Sequence, residues 1–145
     1  ALAELRTLKA RYPDSQYARD ADNRIRIAED SLAAAEMDVG RYYLKRNNQV
    51  AAINRFRTVV TEYQTTAHVE EALMRLTESY MALGIKNEAQ TAAAILGHNF
   101  PESRWYKDAY TLLQSDGLAP REESGSWLSR TFQGVKLPKL TQAPN

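Results

Sequence analysis

A four-residue pattern occurs three times in the chain, at residues 12–15 (YPDS), 63–66 (YQTT) and 100–103 (FPES). Each copy has an aromatic residue, then Pro or a polar residue, then acidic or hydroxyl side chains, and each separates two apolar helical stretches. Pro ends a helix because it lacks an N–H donor, and Asp, Glu, Ser and Thr supply acceptors for the first N–H groups of the next helix. A repeated signal that ends one helix and starts another predicts a helical repeat.

The residues between the copies match the tetratricopeptide repeat, a pair of antiparallel helices. In that repeat the first helix carries Gly and Tyr three apart, and the second carries Ala, an aromatic residue and Ala before a Pro. Two sets of matching residues lie 37 positions apart throughout: Gly40, Tyr43, Ala52, Phe56, Val59 and Gln64, then Thr77, Tyr80, Ala89, Ala93, Leu96 and Pro101. Ala1, Leu5, Leu8 and Pro13 keep the spacing of a second helix alone. The sequence therefore predicts an all-α tetratricopeptide-repeat solenoid of antiparallel helix pairs that begins within the second helix of a repeat.

The repeat spacing breaks once, because residues 13 and 64 are 51 apart instead of 37. The 14 extra residues lie in the first helix of the middle unit. Fourteen residues make about four helical turns, or roughly 21 Å, which keeps the apolar face in phase. Apolar residues continue in steps of three and four through this region: Ala21, Ile25, Ala28, Leu32, Ala35, Val39 and Tyr42. We predict one overlong helix from near residue 16 to near residue 45, followed by helices at about 49–63, 67–83, 86–98 and 103–115.

The composition changes near residue 116, which divides the chain into a repeat array at 1–116 and a partly disordered C-terminal tail at 117–145. The tail holds three of the five prolines and three of the six glycines. Within it, helical spacing relates Trp127, Leu128, Thr131, Phe132 and Val135. Two interpretations stay open: a disordered segment or short helix folded back on the end of the solenoid, and a docking peptide for a partner or a membrane surface.

Composition and motifs argue against several classes of function. The 19 Lys+Arg balance 18 Asp+Glu, so there is no overall attraction to nucleic acid or an anionic membrane. The absence of cysteine excludes disulfides and thiolate metal sites, and no apolar window is long enough to span a bilayer. His68 and His98 are the only histidines, and no metal-ligand spacing, phosphate loop or nucleophile motif appears. We therefore predict no catalytic residue, cofactor or metal site, and no nucleic-acid partner.

In a tetratricopeptide array the first helices line the concave face. Counting from the motif, we predict a concave groove lined by Met37, Leu44, Glu71, Met74, Glu78 and Met81, with Ala34 and Arg41 beside them. Methionine is adaptable at binding surfaces, but packing inside the superhelix is an equally open role for these residues.

Arg55 follows Asn54 and precedes Phe56 in the second helix of the middle unit. If Phe56 faces the core, Arg55 points about 100° away, toward the outer side or an edge. An exposed Arg can anchor an interface by pairing with a carboxylate, and the alternative is an ordinary surface Arg.

Several segments together resemble the BamD (ComL-like) family, the outer-membrane lipoproteins of the β-barrel assembly machinery. They are residues 12–18 (YPDSQYA), the overlong helix, 40–43 (GRYY), 52–56 (AINRF) and 63–66 (YQTT). The resemblance covers about residues 1–113 and corresponds to the C-terminal part of the family's five repeats. The family's lipid-bearing Cys and N-terminal repeats are absent, as expected of a fragment. Gln64 stands where the family has Pro, and the tail has no counterpart.

The resemblance implies a non-catalytic scaffold on the periplasmic side of the bacterial outer membrane, attached through a lipid anchor that this chain lacks. It implies that these repeats contact the membrane-proximal POTRA domain of BamA and other lipoproteins of the complex. Recognition of unfolded outer-membrane proteins would belong to the missing N-terminal repeats. The family's BamA-contacting arginine maps onto Arg55, and Asn54, Tyr42 and Arg41 are expected on the same side. A different tetratricopeptide adaptor, binding a peptide or protein in its concave groove, is the alternative.

Overall fold

Residues 1–133, the part of the chain that the computed structural model describes, form seven α-helices and no β-strand. In chain order the helices are α1 (Leu2–Arg11), α2 (Gln16–Lys45), α3 (Gln49–Glu62), α4 (His68–Ala82), α5 (Lys86–Asn99), α6 (Arg104–Ser115) and α7 (Trp127–Phe132). The predicted all-α class is confirmed, and the helix bounds expected for the repeat array agree with the structure to within about one residue. Two predictions concern residues outside the described part of the chain: the helical position of Val135 and the partial disorder of the tail over residues 134–145.

The overlong helix is α2, which has 30 residues. Its first half packs against α1, where Arg6 pairs with Glu29 at 2.8 Å. Its second half packs against α3 and α4, and buries Ala33 and Met37. The added turns therefore let one helix serve two neighbouring layers of the solenoid, because each half presents an apolar stripe to a different partner.

Successive first helices contact one another, α2 with α4 and α4 with α6, while each second helix packs between them. Close approach within the middle pair depends on Gly40, because a Cβ built at this position would lie 2.5 Å from Cε1 of the buried Phe56. The Gly and aromatic positions of the repeat motif thus face each other across α2 and α3. This contact explains why the spacing of the Gly and aromatic positions in the sequence predicted a pair of packed helices.

The three copies of the turn pattern do not act alike. The hydroxyl groups of Ser15 and Ser103 accept hydrogen bonds from backbone N–H groups at the starts of α2 and α6, as the pattern predicted. The middle copy was predicted wrongly, because α4 has no side-chain cap. There the Thr66 hydroxyl instead donates to the Tyr63 carbonyl at 2.8 Å. This bond stabilises the turn after α3 and leaves the start of α4 without a side-chain cap.

The chain leaves α6 through Gly117, whose φ of 73° lies in the left-handed region that glycine tolerates. It then returns along α5, where the Gln90 side chain donates to the Ala119 carbonyl at 2.9 Å. The next helix, α7, packs against α5 and buries Leu128 completely. For residues 118–132 the structure shows the folded-back arrangement, one of the two interpretations of the tail.

Candidate functional site

Arg55 lies at the edge between α2 and α3. Its neighbour Phe56 is fully buried, and Arg55 leaves the helix about 100° away from it. The guanidinium Nη1 contacts Oε2 of Glu36 on α2 at 3.4 Å, and 43 % of the side chain remains exposed. Asn54, one residue earlier, is exposed. The pair therefore presents polar groups to solvent from a rigid helix.

Tyr42 is a surface aromatic near the end of α2. The Arg46 guanidinium lies 4.9 Å from its ring centroid, and the half-buried Tyr43 meets it edge-on at 5.7 Å. Six residues separate Tyr42 from Glu36, so their side chains point about 120° apart around the helix axis. Tyr42 is accessible, but it lies on a different side of α2 from the Arg55–Glu36 pair.

Arg41 is held at the contact between α2 and α4. Its Nη1 donates to both carboxylate oxygens of Glu71, at 2.9 and 3.0 Å, and its Nη2 donates to Asp38 at 2.6 Å. Burial on its own would lower the pKa of Arg41, but hydrogen bonds with Glu71 and Asp38 outweigh it and raise that pKa. Because Arg41 faces α4 and Glu36 faces α3, Arg41 and Arg55 lie on different flanks of α2.

The predicted concave groove proves to be a mixture of core and paired surface residues. Met37 has no exposed surface and Met74 has 7 %, so both belong to the hydrophobic core. Leu44 and Met81 pack against that core and are partly buried. For Met37 and Met74 the structure shows the packing role that the sequence left open.

The acidic residues of the groove already have partners. Glu71 accepts from Arg41 and also from Nε of Arg75 at 3.2 Å, and Arg75 contacts Glu78 at 3.4 Å. The Arg75 guanidinium lies 5.6 Å from the ring of Trp105 on α6. Alternating charges therefore link α2 to α4, and the contact between Arg75 and Trp105 extends this link to α6.

One cluster was missed by the sequence analysis, because its members come from distant segments. The Trp127 indole N–H donates to the Tyr80 hydroxyl at 2.9 Å, and the Arg57 guanidinium lies 4.4 Å from the Trp127 ring. Further along α7, the Gln64 side chain donates to the Thr131 carbonyl at 3.5 Å. These contacts place the start of α7 near Arg57 on α3 and its end near the turn between α3 and α4. The helical spacing around Trp127 was the only sequence signal, and it did not identify the partners.

Within residues 1–133, no three His, Cys, Asp or Glu side chains are grouped so that they could hold a metal ion. None of the helices described there combines the length and apolar character needed to cross a membrane.

The family model described as YfiO, outer membrane lipoprotein, matches residues 1–96. The chain belongs to this family. It is 50 % identical over 123 residues to the outer membrane protein assembly factor BamD of Caulobacter vibrioides, a match that covers 85 % of this chain and 40 % of that protein. It is 49 % identical over 105 residues to BamD of Rickettsia prowazekii, which covers 72 % of this chain and 42 % of that protein. The resemblance found in the sequence is therefore confirmed, and the chain spans about two fifths of the length of these relatives.

Proposed function

We propose that this chain is part of a non-catalytic assembly factor for outer-membrane proteins on the periplasmic side of the outer membrane. Its relatives carry the name of outer membrane protein assembly factor. We further propose that it binds the membrane-proximal POTRA domain of BamA through the edge formed by Asn54 and Arg55. The lipid anchor and the binding site for unfolded outer-membrane proteins would lie in parts of the protein outside this chain. Other lipoproteins of the complex would bind surfaces other than this edge.

The observation that carries this proposal is the state of Arg55. Arginine has five N–H donors in a planar fork, and the contact with Glu36 engages a single nitrogen at 3.4 Å. The guanidinium is therefore partly ordered, partly exposed and able to donate to a further carboxylate.

The concave groove is less suited to the alternative function of peptide binding. Its charges at Arg41, Glu71 and Arg75 pair with one another, and Met37 and Met74 are in the core. A peptide would have to break these pairs to form new ones, which offsets the gain. At the Arg55 edge a partner would compete only with the single 3.4 Å contact to Glu36.

Isothermal titration of the chain with the isolated POTRA domain tests the proposal. Arg55→Ala should weaken binding by about tenfold or more, as is common for an interface arginine, and Arg55→Glu should weaken it further. Lys107→Ala, which removes an exposed cation from α6, is the matched control and should bind like the parent. Glu36→Gln should leave binding unchanged or tighter because it removes the internal competitor. Unchanged affinity of Arg55→Glu would show that this edge is not the binding site.

A further inference from the structure

The outer face of α3 carries a row of exposed residues that includes Arg57, and Arg55 lies at its edge with α2. Exposed residues recur along it every three or four positions: Val50, Asn54, Arg57 and Thr61. Arg55 and Arg57 are two residues apart, so their side chains leave the helix about 160° apart. Arg55 points to the α2 edge, where it meets Glu36, and Arg57 points to the opposite edge, where it meets α7.

Trp127 extends this face onto the tail. Its ring lies 4.4 Å from the Arg57 guanidinium, and its indole N–H is fixed by the Tyr80 hydroxyl. Stacking on an aromatic ring uses the face of a guanidinium and leaves the in-plane N–H donors available for carboxylates. Trp127 therefore holds Arg57 in an orientation in which it can still bind an anion.

Arg130 adds a third cation from α7. It follows Trp127 by three residues, a spacing that places two side chains next to each other on a helix surface. Arg130 is exposed, and α7 packs against α5 with Trp127 near Arg57 of α3 and Thr131 near Gln64 in the turn after α3. Arg57 thus lies against the Trp127 ring, and Arg130 is exposed one helical turn further along α7. Three carboxylates lie near these cations: Glu36, which pairs with Arg55, Glu62 at the end of α3, and Glu88 on α5, which accepts from the Ser126 hydroxyl at 2.7 Å.

We propose that α7 and the outer face of α3 form one docking surface, made by Arg55, Arg57, Arg130 and Trp127, for an acidic segment of the partner protein. The proposal rests on the function proposed above, because Arg55 belongs to both. The tail is then part of the binding surface as well as part of the fold. Three cations spread over two elements match a partner segment that carries several carboxylates, since each guanidinium can pair with one of them.

The test is titration with the POTRA domain of BamA at low and at physiological salt. Arg57→Gln and Arg130→Gln should each weaken binding by roughly three- to tenfold, and both should make its salt dependence shallower. Trp127→Leu keeps an apolar anchor for α7 but removes the ring, and should weaken binding about as much as Arg57→Gln. The double variant with Trp127→Leu and Arg57→Gln should bind only slightly more weakly than either single variant. Lys107→Gln should bind like the parent, and Glu62→Gln should bind equally or more tightly.

The outcomes separate this inference from the proposed function. If Arg55→Ala weakens binding but Arg57→Gln and Arg130→Gln do not, the edge at Arg55 stands and the composite surface is wrong. If Arg57→Gln and Arg130→Gln weaken binding and Arg55→Ala does not, the surface is confined to α7 and the facing side of α3, and the Arg55 site is wrong. If none of the three weakens binding, both proposals fall. Urea unfolding of each variant identifies any loss that comes from the fold.

Discussion

Gly40 shows how one residue of the repeat motif acts through packing. Helix propensity favours alanine over glycine by about 1 kcal/mol in a helix interior. The structure reverses that expectation, because a Cβ at Gly40 would lie 2.5 Å from the ring of Phe56, which is completely buried and has little room to move. The identity of this residue is therefore set by the distance between two helices.

We predict that Gly40→Ala destabilises the chain by about 1–3 kcal/mol, the usual cost of overpacking a core. Gly125→Ala is the control, because a Cβ there meets no atom within 4 Å. Urea unfolding followed by circular dichroism measures both free energies of unfolding. A gain in stability for Gly40→Ala would mean that α2 and α3 separate easily, contrary to the packing described here.

The arginines near this glycine show that residues of one type take different roles within a few positions. Arg41 binds Glu71 and Asp38 and joins two helices of the solenoid. Arg55 makes one longer contact and stays accessible. The first is therefore expected to contribute to stability and the second to binding, although both appeared together as site candidates in the sequence.

Among the elements, α7 depends most on long-range contacts. It has six residues, too few for a stable isolated helix, so its structure relies on burying Leu128 and on the bond from Trp127 to Tyr80. Burial raises the pKa of Tyr80, and the hydrogen bond from Trp127 opposes this rise. Ionisation of the Tyr80 phenol is therefore expected to weaken the packing of α7.

We predict that Tyr80→Phe lowers the free energy of unfolding by about 0.5–1.5 kcal/mol at pH 7.5, the usual net value of a hydrogen bond. In the parent, the folded-state pKa of Tyr80 lies above the unfolded value of about 10. Its contribution is therefore complete below about pH 10 and is lost as the pH rises through the folded pKa. The difference between parent and variant should accordingly narrow above pH 10 in urea titrations.

Trp127→Phe is the control for this pH effect. It removes the donor but keeps the ionisable phenol, so it should lose stability at pH 7.5 and still decline above pH 10. A constant difference between the parent and Tyr80→Phe from pH 7.5 to 10.5 would contradict the linkage to Tyr80.

Across the whole molecule, stability is unevenly distributed. Within residues 1–133, α1 has no buried residue and packs mainly on α2, with ion pairs from Arg6 and Lys9. In contrast, α4 packs against α2, α3, α5 and α6 and buries eight residues. In a solenoid each unit is stabilised by its neighbours, so the layer with the fewest buried contacts opens first.

We predict that amide hydrogen exchange is fastest in α1 and slowest in α4 and α5, with α2 divided between a less protected first half and a more protected second half. Mass spectrometry of peptides from timed exchange measures this order. Equal protection of α1 and α4 would show that the chain opens as one cooperative unit.

The sequence by itself determined the helices. Their bounds and the 30-residue length of α2 followed from period, capping residues and motif spacing, because helices are built from contacts three and four residues apart. Family membership followed from the order of these same segments.

The tertiary structure alone decided which surfaces are free. It placed Met37 and Met74 in the core, joined Arg41 to Glu71 across 30 residues of chain, and set Trp127 against Tyr80 and Arg57. Local periodicity assigns each of these residues to a face of its own helix, but the neighbour that covers that face comes from a distant segment. Burial and pairing depend on that neighbour, and they decide which residues remain accessible to a partner.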